Sequence, residues 1–214
     1  MFKSFPAPSQ QELLEQVILT AYVAEFTEWD NHAHVERIRR YTHILARETG
    51  LEHDEASLLS SASMLHDVGK IALPAPLLQK TAKLTPDEYR IAEQHTVEGH
   101  RLLAGSGSPL LQAAEIICRT HHERWDGSGF PEGLRGEAIP LSGRIVALAD
   151  VFDALTTKRA YKTAIKLEAA FELIKSSSGT LFDPLLVSIF VERFEDFSSV
   201  LRMTDETAGD TPKK

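Results

Sequence analysis

The stretch Ala62-Ser63-Met64-Leu65-His66-Asp67-Val68-Gly69-Lys70 sets an imidazole and a carboxylate side by side at the end of an apolar run, followed by glycine and lysine. His66 offers a neutral nitrogen donor, and Asp67 has two oxygens that can bridge a pair of metal ions. Gly69 permits a tight turn that points Lys70 back at any anion the metals hold. Alone, the pair better suits a histidine capping a helix end with its carboxylate in solvent. His121-His122-Glu123 closes a second apolar run. Consecutive helical residues diverge by about 100°, so both imidazoles serve one site only if the helix stops there. Asp150 and Asp153 interrupt the strongly apolar segment Arg144–Leu155. Buried carboxylates need partners. A metal would supply one for Asp150, with Arg144 or a capping role as the plainer alternative. Asp30 and His34, four apart, share a helix face if the helix has already begun, and otherwise read as an N-capping aspartate and an exposed histidine. His95 lies at the edge of an apolar helical face and, by itself, reads as structural.

Two further segments suit a phosphorylated ligand. Arg124 to Leu134 is a Gly/Pro-rich loop with two aromatics, Trp125 and Phe130, a composition suited to closing over a flat, base-like ligand. Lys158-Arg159-Ala160-Tyr161-Lys162 places three cations within five residues. Such a run can clamp phosphate, although an exposed charged surface is the commoner use.

Helices must position these groups. Apolar spacing predicts a packing helix over about 9–26, a second from Asn31 to Gly50, and a third from Asp54 to His66. Thr85-Pro86-Asp87-Glu88 has the capping threonine, first-turn proline and glutamate of a helix start. That helix carries Tyr89, Ala92, Thr96, Gly99, Leu102 and Leu103 as its apolar face. Further helices are expected at Leu110–His121, Arg144–Leu155, Leu167–Lys175 and Pro184–Phe194, with a fraying polar tail over Ser198–Lys214. No strand alternation or internal repeat is evident, so the expected fold is all-α: a single domain over residues 1–197 and a flexible tail over 198–214.

The 214 residues, 43% hydrophobic and 25% charged, suffice for a core without staples. One cysteine, Cys118, allows no internal disulfide and suits a reducing, cytoplasmic setting. No apolar segment has signal-peptide or membrane-spanning length. A net charge of −8 opposes long-range attraction to nucleic acid or anionic lipid, yet permits a small phosphorylated ligand in a locally basic pocket.

The order of these motifs, Asp30...His34, His66-Asp67-x-Gly-Lys70, His95, His121-His122-Glu123 with Asp126-Gly127-x-Gly129-Phe130-Pro131, and Asp150-x-x-Asp153, closely resembles the HD-GYP domain, a branch of the HD phosphohydrolase superfamily. The resemblance runs from about Leu13 to Phe194. It implies an HD-type helical bundle holding two or three divalent ions, iron or manganese, and hydrolysing cyclic di-GMP to pGpG or GMP through a metal-bridging hydroxide. By position it implies His66, Asp67, His95, His121, His122 and Asp150 as metal ligands, Asp67 bridging, with Asp30 and His34 as the pair that holds a third metal in some members. It implies Lys70, Asp153, Arg159 and Lys162 near the substrate phosphates, and Phe130 in the substrate loop. The chemistry agrees, because paired metals can activate and orient water for attack on a phosphodiester.

Three positions depart from the family pattern. Gly129-Phe130-Pro131 replaces Gly-Tyr-Pro and removes a hydroxyl, a loss of about 1–3 kcal/mol if it meets a charged oxygen. Asp30 stands where three-metal members carry glutamate, and Ala160 where proline is common. The competing expectation is a metal-holding module that senses cyclic di-GMP or docks a diguanylate cyclase. A mononucleotide-cleaving HD enzyme fits less well, since simpler HD enzymes lack the Gly-Ser-Gly-Phe-Pro loop.

Overall fold

A computed structural model describes residue 16, residues 19–21, 31–157 and 164–209. The expected packing helix over 9–26 therefore lies largely outside the described residues, as do Asp30, Arg159 and Lys162. Among the described residues the architecture is all-α with no named strand; the one bridge joins Ser178 and Phe182. In chain order the helices are α1 (Asn31–Glu48), α2 (His53–Ser63), a 3-10 turn (Val68–Ala72), the short α3 (Ala75–Leu78), α4 (Pro86–Leu103), α5 (Pro109–Thr120), a 3-10 turn (Gly136–Ala138), α6 (Leu141–Thr156), α7 (Leu167–Ser176), α8 (Pro184–Glu192) and α9 (Phe194–Gly209).

Helix α1 packs on α2, α6 and α9, while α4 packs on α5 and on the 3-10 turn at Val68–Ala72. Its apolar residues Val35, Ile38, Tyr41 and Leu45 are all buried, at the three-and-four spacing of one helix face. Around Tyr41 an aromatic cluster forms: Tyr41 stacks on Phe197 at 4.8 Å, and Phe152 meets Phe190 at 5.3 Å and Phe197 at 5.4 Å. Edge-to-face and offset pairs of this kind add to the stability gained from burial.

The structure departs from the sequence expectation at both ends of the pattern. The helix expected to reach His66 stops at Ser63, and the chain tightens into i→i−3 turns, with His66 N donating to Ser63 O at 3.1 Å and Val68 N to Leu65 O at 3.0 Å. The tail expected from Ser198 is instead helix α9, which buries Phe197, Ser198, Val200 and Thr204. Polar composition hid a single apolar stripe. Residues Pro184 to Phe194 likewise do not form one helix; Arg193 leaves helical geometry and separates α8 from α9.

At α4 the expected capping box is present: Thr85 Oγ1 accepts from Glu88 N at 3.3 Å, and Glu88 Oε2 from Thr85 N at 2.7 Å. Its buried face is narrower than the periodicity suggests, with His95, Thr96 and Gly99 inside and Tyr89 and Leu102 outside. No helix among the described residues is long and apolar enough to cross a membrane.

Candidate metal centre

Five chain segments supply two groups of ligand atoms that meet where His66 adjoins Asp67. The tightened turn after α2 delivers His66 and Asp67, α4 delivers His95, the end of α5 delivers His121 and His122, α6 delivers Asp150, and α1 delivers His34. Close backbone approach makes the first of these junctions work. A Cβ on Gly69 would lie 1.9 Å from His95 O and 2.4 Å from Gly99 N, so glycine lets the turn lie directly against α4. Gly69 has no positive φ; its role is contact between main chains rather than the turn freedom expected from sequence.

Asp67 is buried, and its two oxygens face different partners. Oδ1 lies 3.1 Å from His95 Nε2 and 3.6 Å from His121 Nε2, while Oδ2 lies 3.2 Å from His66 Nε2 and 2.7 Å from Lys70 Nζ. The ligand atoms fall into two groups, each spanning no more than 4.8 Å: Asp67, His95, His121 and His122, and then His34, His66 and Asp150.

The main chain sets the tautomers. His66 Nδ1 is 3.0 Å from Ser63 O, His95 Nδ1 is 2.7 Å from Ala92 O, and His121 Nδ1 is 3.0 Å from Ile117 O. A carbonyl only accepts, so each Nδ1 carries the proton and each Nε2 presents a lone pair. Those lone pairs aim at Asp67, whose Oδ1 is buried and receives no hydrogen bond. His95 Nε2 and His121 Nε2 are themselves 3.4 Å apart. Acceptors facing acceptors in a buried space repel unless a cation lies between them, and the mixed nitrogen and oxygen donors suit a divalent transition metal. The residues present therefore fit the implied metals.

Electrostatics favour the ligand forms. Burial opposes charge on Asp67, but the Lys70 cation beside it holds it well below the usual carboxylate range. Burial, reinforced by neighbouring imidazoles, pushes His122 well below the ordinary histidine value, and burial lowers His121. Neutral imidazoles are the form that binds metal.

His34 is oriented differently, by a carboxylate. Its Nδ1 lies 2.7 Å from Asp153 Oδ2, and Arg37 Nε donates to Asp153 Oδ1. The sequence expectation places Asp153 near the substrate phosphates; the structure shows its carboxylate facing His34 and Arg37. Asp153 is fully buried and both of its oxygens are engaged, one of them by the His34 ring, an arrangement that fixes the orientation of that imidazole. Burial alone would raise its pKa, but His34 and Arg37 bring it down to about 2. Arg37, 1% exposed, was invisible in the sequence: it reads there as one of several arginines on α1. The signal was its place three residues after His34, the spacing that lets both reach one carboxylate. His34 itself joins the group with His66 and Asp150, and Asp30 lies outside the described residues.

Glu123 was also passed over, although it sits beside the double histidine. Buried, it accepts from Glu132 N at 2.8 Å and Leu134 N at 3.0 Å, folding the loop back over the site. Gly129 permits the final approach, since a Cβ there would lie 2.6 Å from His122 O. The result is that Phe130 stacks on the His122 ring at 4.7 Å and 24°.

The HD domain family model matches residues 16–186. The chain belongs to the HD domain family. Within it, the chain is 42% identical over 190 residues to a cyclic di-GMP phosphodiesterase of Thermotoga maritima, covering 89% of this chain and 52% of that protein. It is 42% identical over 186 residues to a 3'3'-cGAMP-specific phosphodiesterase of Vibrio cholerae, covering 87% of this chain and 36% of that protein. The chain thus spans about half or less of the length of these relatives. In fold it is similar to the crystal structure of a cyclic GMP-AMP specific phosphodiesterase from V. cholerae, with a TM-score of 0.65 at 23% identity over 94% of this chain and 54% of that one.

Proposed function

We propose that this chain is the catalytic domain of a metal-dependent phosphodiesterase that hydrolyses cyclic dinucleotides, cyclic di-GMP foremost, to pGpG or GMP. The carrying observation is Asp67, whose Oδ1 lies among the first group of ligand atoms while its Oδ2 lies 3.2 Å from His66 of the second. Relatives at 42% identity carry that activity in their names, one for cyclic di-GMP and one for 3'3'-cGAMP. His95, His121 and His122 with Asp67 Oδ1 would hold one ion, and His34, His66 and Asp150 with Asp67 Oδ2 the other; iron or manganese suits these donors. Bound there, such a pair supplies activated water and neutralises phosphate charge.

The chain's own residues do the rest. Lys70 Nζ, 2.7 Å from Asp67 Oδ2, adds a cation at the edge of the site, where it can meet a non-bridging phosphate oxygen. Arg159 and Lys162 are assigned the remaining phosphate contacts by their place after Asp153 in the motif. Phe130 covers His122 and shields the site from bulk water. A cytoplasmic setting accords with the single buried cysteine.

The test is anaerobic turnover of cyclic di-GMP and 3'3'-cGAMP by protein reconstituted with iron or manganese, with products separated by chromatography. Linear product is expected. Full metal occupancy without product would make the chain a metal-holding module that senses the nucleotide or docks a diguanylate cyclase.

A further inference from the structure

We infer that Tyr89 is a substrate-contacting residue, forming with Phe130 an aromatic corner that receives a purine base of the cyclic dinucleotide; this rests on the function proposed above. Helical periodicity assigns Tyr89 to the buried face of α4, but its side chain emerges half exposed, at 51%. It leans on the loop that carries Phe130: the Tyr89 and Phe130 rings are 6.5 Å apart at 76°. Phe130 in turn lies flat on His122, a member of the first ligand group. Exposure thus increases outward from His122 and Phe130, both part-buried, to Tyr89, half exposed.

The arrangement matches what a dinucleotide requires. A phosphate held at the ligand groups is joined through one sugar to its base, and that base must come to rest beside the site rather than within it. Tyr89 presents an open aromatic face there, one ring beyond Phe130. Phe130 has committed one face to His122, and Tyr89, half exposed beside it, adds ring surface for a base. A purine has a π-face whatever its edge, so this wall accepts guanine and adenine alike.

Steady-state kinetics of the metal-loaded chain on cyclic di-GMP test the inference, with Tyr89→Ala, Tyr89→Phe and the same-helix control Ile91→Ala, which is also exposed. Metal content measured in every variant checks folding. Loss of a base-stacking ring should raise KM about tenfold in Tyr89→Ala with kcat within about twofold of wild type. Tyr89→Phe, which keeps the ring, should restore KM, and Ile91→Ala should not change it. An unchanged KM in Tyr89→Ala overturns the inference, as does a fall in kcat at constant KM, which would mean that Tyr89 merely props Phe130 against His122. Should the wild type bind cyclic di-GMP without turnover, the same tenfold ratio is read in the dissociation constant. Wild type that neither binds nor cleaves it, nor 3'3'-cGAMP, overturns the proposed function and this inference together.

Discussion

The two ligand groups around Asp67 are held by different means. In the first, His95 and His121 are locked by main-chain carbonyls one turn back in their own helices, so their orientation comes with the fold of α4 and the end of α5. In the second, His34 depends on a side-chain relay, Arg37 to Asp153 to His34, reaching from α1 to α6. His66, its companion in the second group, uses the main-chain device. A carbonyl cannot be mutated away, whereas a relay can. The first group should therefore be the more tolerant of substitution outside its ligands, and the second the place where distant changes alter metal binding.

Asp67→Ala strikes both groups at once. Turnover of cyclic di-GMP should fall by about a thousandfold, the equivalent of the several kcal/mol that metal catalysis supplies. Arg37→Ala separates the groups. It strips one partner from a buried ion pair, at a cost of about 3–5 kcal/mol in urea denaturation, and weakens the metal bound by His34, His66 and Asp150 by about 10–100-fold. Metal titrations showing the first group weakened equally would end the distinction. Gly69→Ala acts at the junction, because its new methyl meets His95 O and must push the turn that carries His66 and Asp67 away from α4. A loss of about 1–3 kcal/mol is expected, with metal binding weakened in both groups rather than in the second alone.

Acidification sharpens the contrast in the metal-free protein. Folded His121 and His122 resist protonation below the ordinary value of 6.5, whereas the unfolded chain accepts it. Stability should fall as pH drops below about 6.5. Asp153 is also depressed, from 3.8 to about 2, so its contribution persists to lower pH and is lost between those two values. Urea midpoints that stay constant from neutral pH to pH 5 would contradict this reading of the first group. The smallest effect is expected from Phe130→Tyr, which adds one hydroxyl at the rim and leaves both groups intact. Turnover should rise, by up to about tenfold if the hydroxyl meets a phosphate oxygen; unchanged turnover at full metal content would remove the missing hydroxyl as a constraint.

Much of this site was legible because its ligands sit where helices stop. Apolar runs ending in His66-Asp67 and His121-His122 signal themselves in one dimension, and both helices do end at or just before these residues. What stayed hidden depends on contacts remote in sequence. Asp153 is 119 residues from His34, and nothing local says that it faces inward onto an imidazole rather than outward to a phosphate. Arg37 is a buried cation on a charged helix, and Glu123 a carboxylate used only to hold backbone N–H groups of a loop. Helix α9 failed for another reason: Phe197, Val200 and Thr204 form so narrow a stripe that polar neighbours dominate the composition. Tyr89 is the reverse case, an apolar residue in correct helical register that is not core.

The central claim is that one carboxylate serves both groups. It is tested most directly by metal stoichiometry of the reconstituted protein, by mass spectrometry of the digested sample, in wild type, His122→Ala, His34→Ala and Asp67→Ala. Two ions per chain are predicted for wild type, about one for each histidine variant, and fewer than one for Asp67→Ala. Two ions retained in Asp67→Ala would contradict the account.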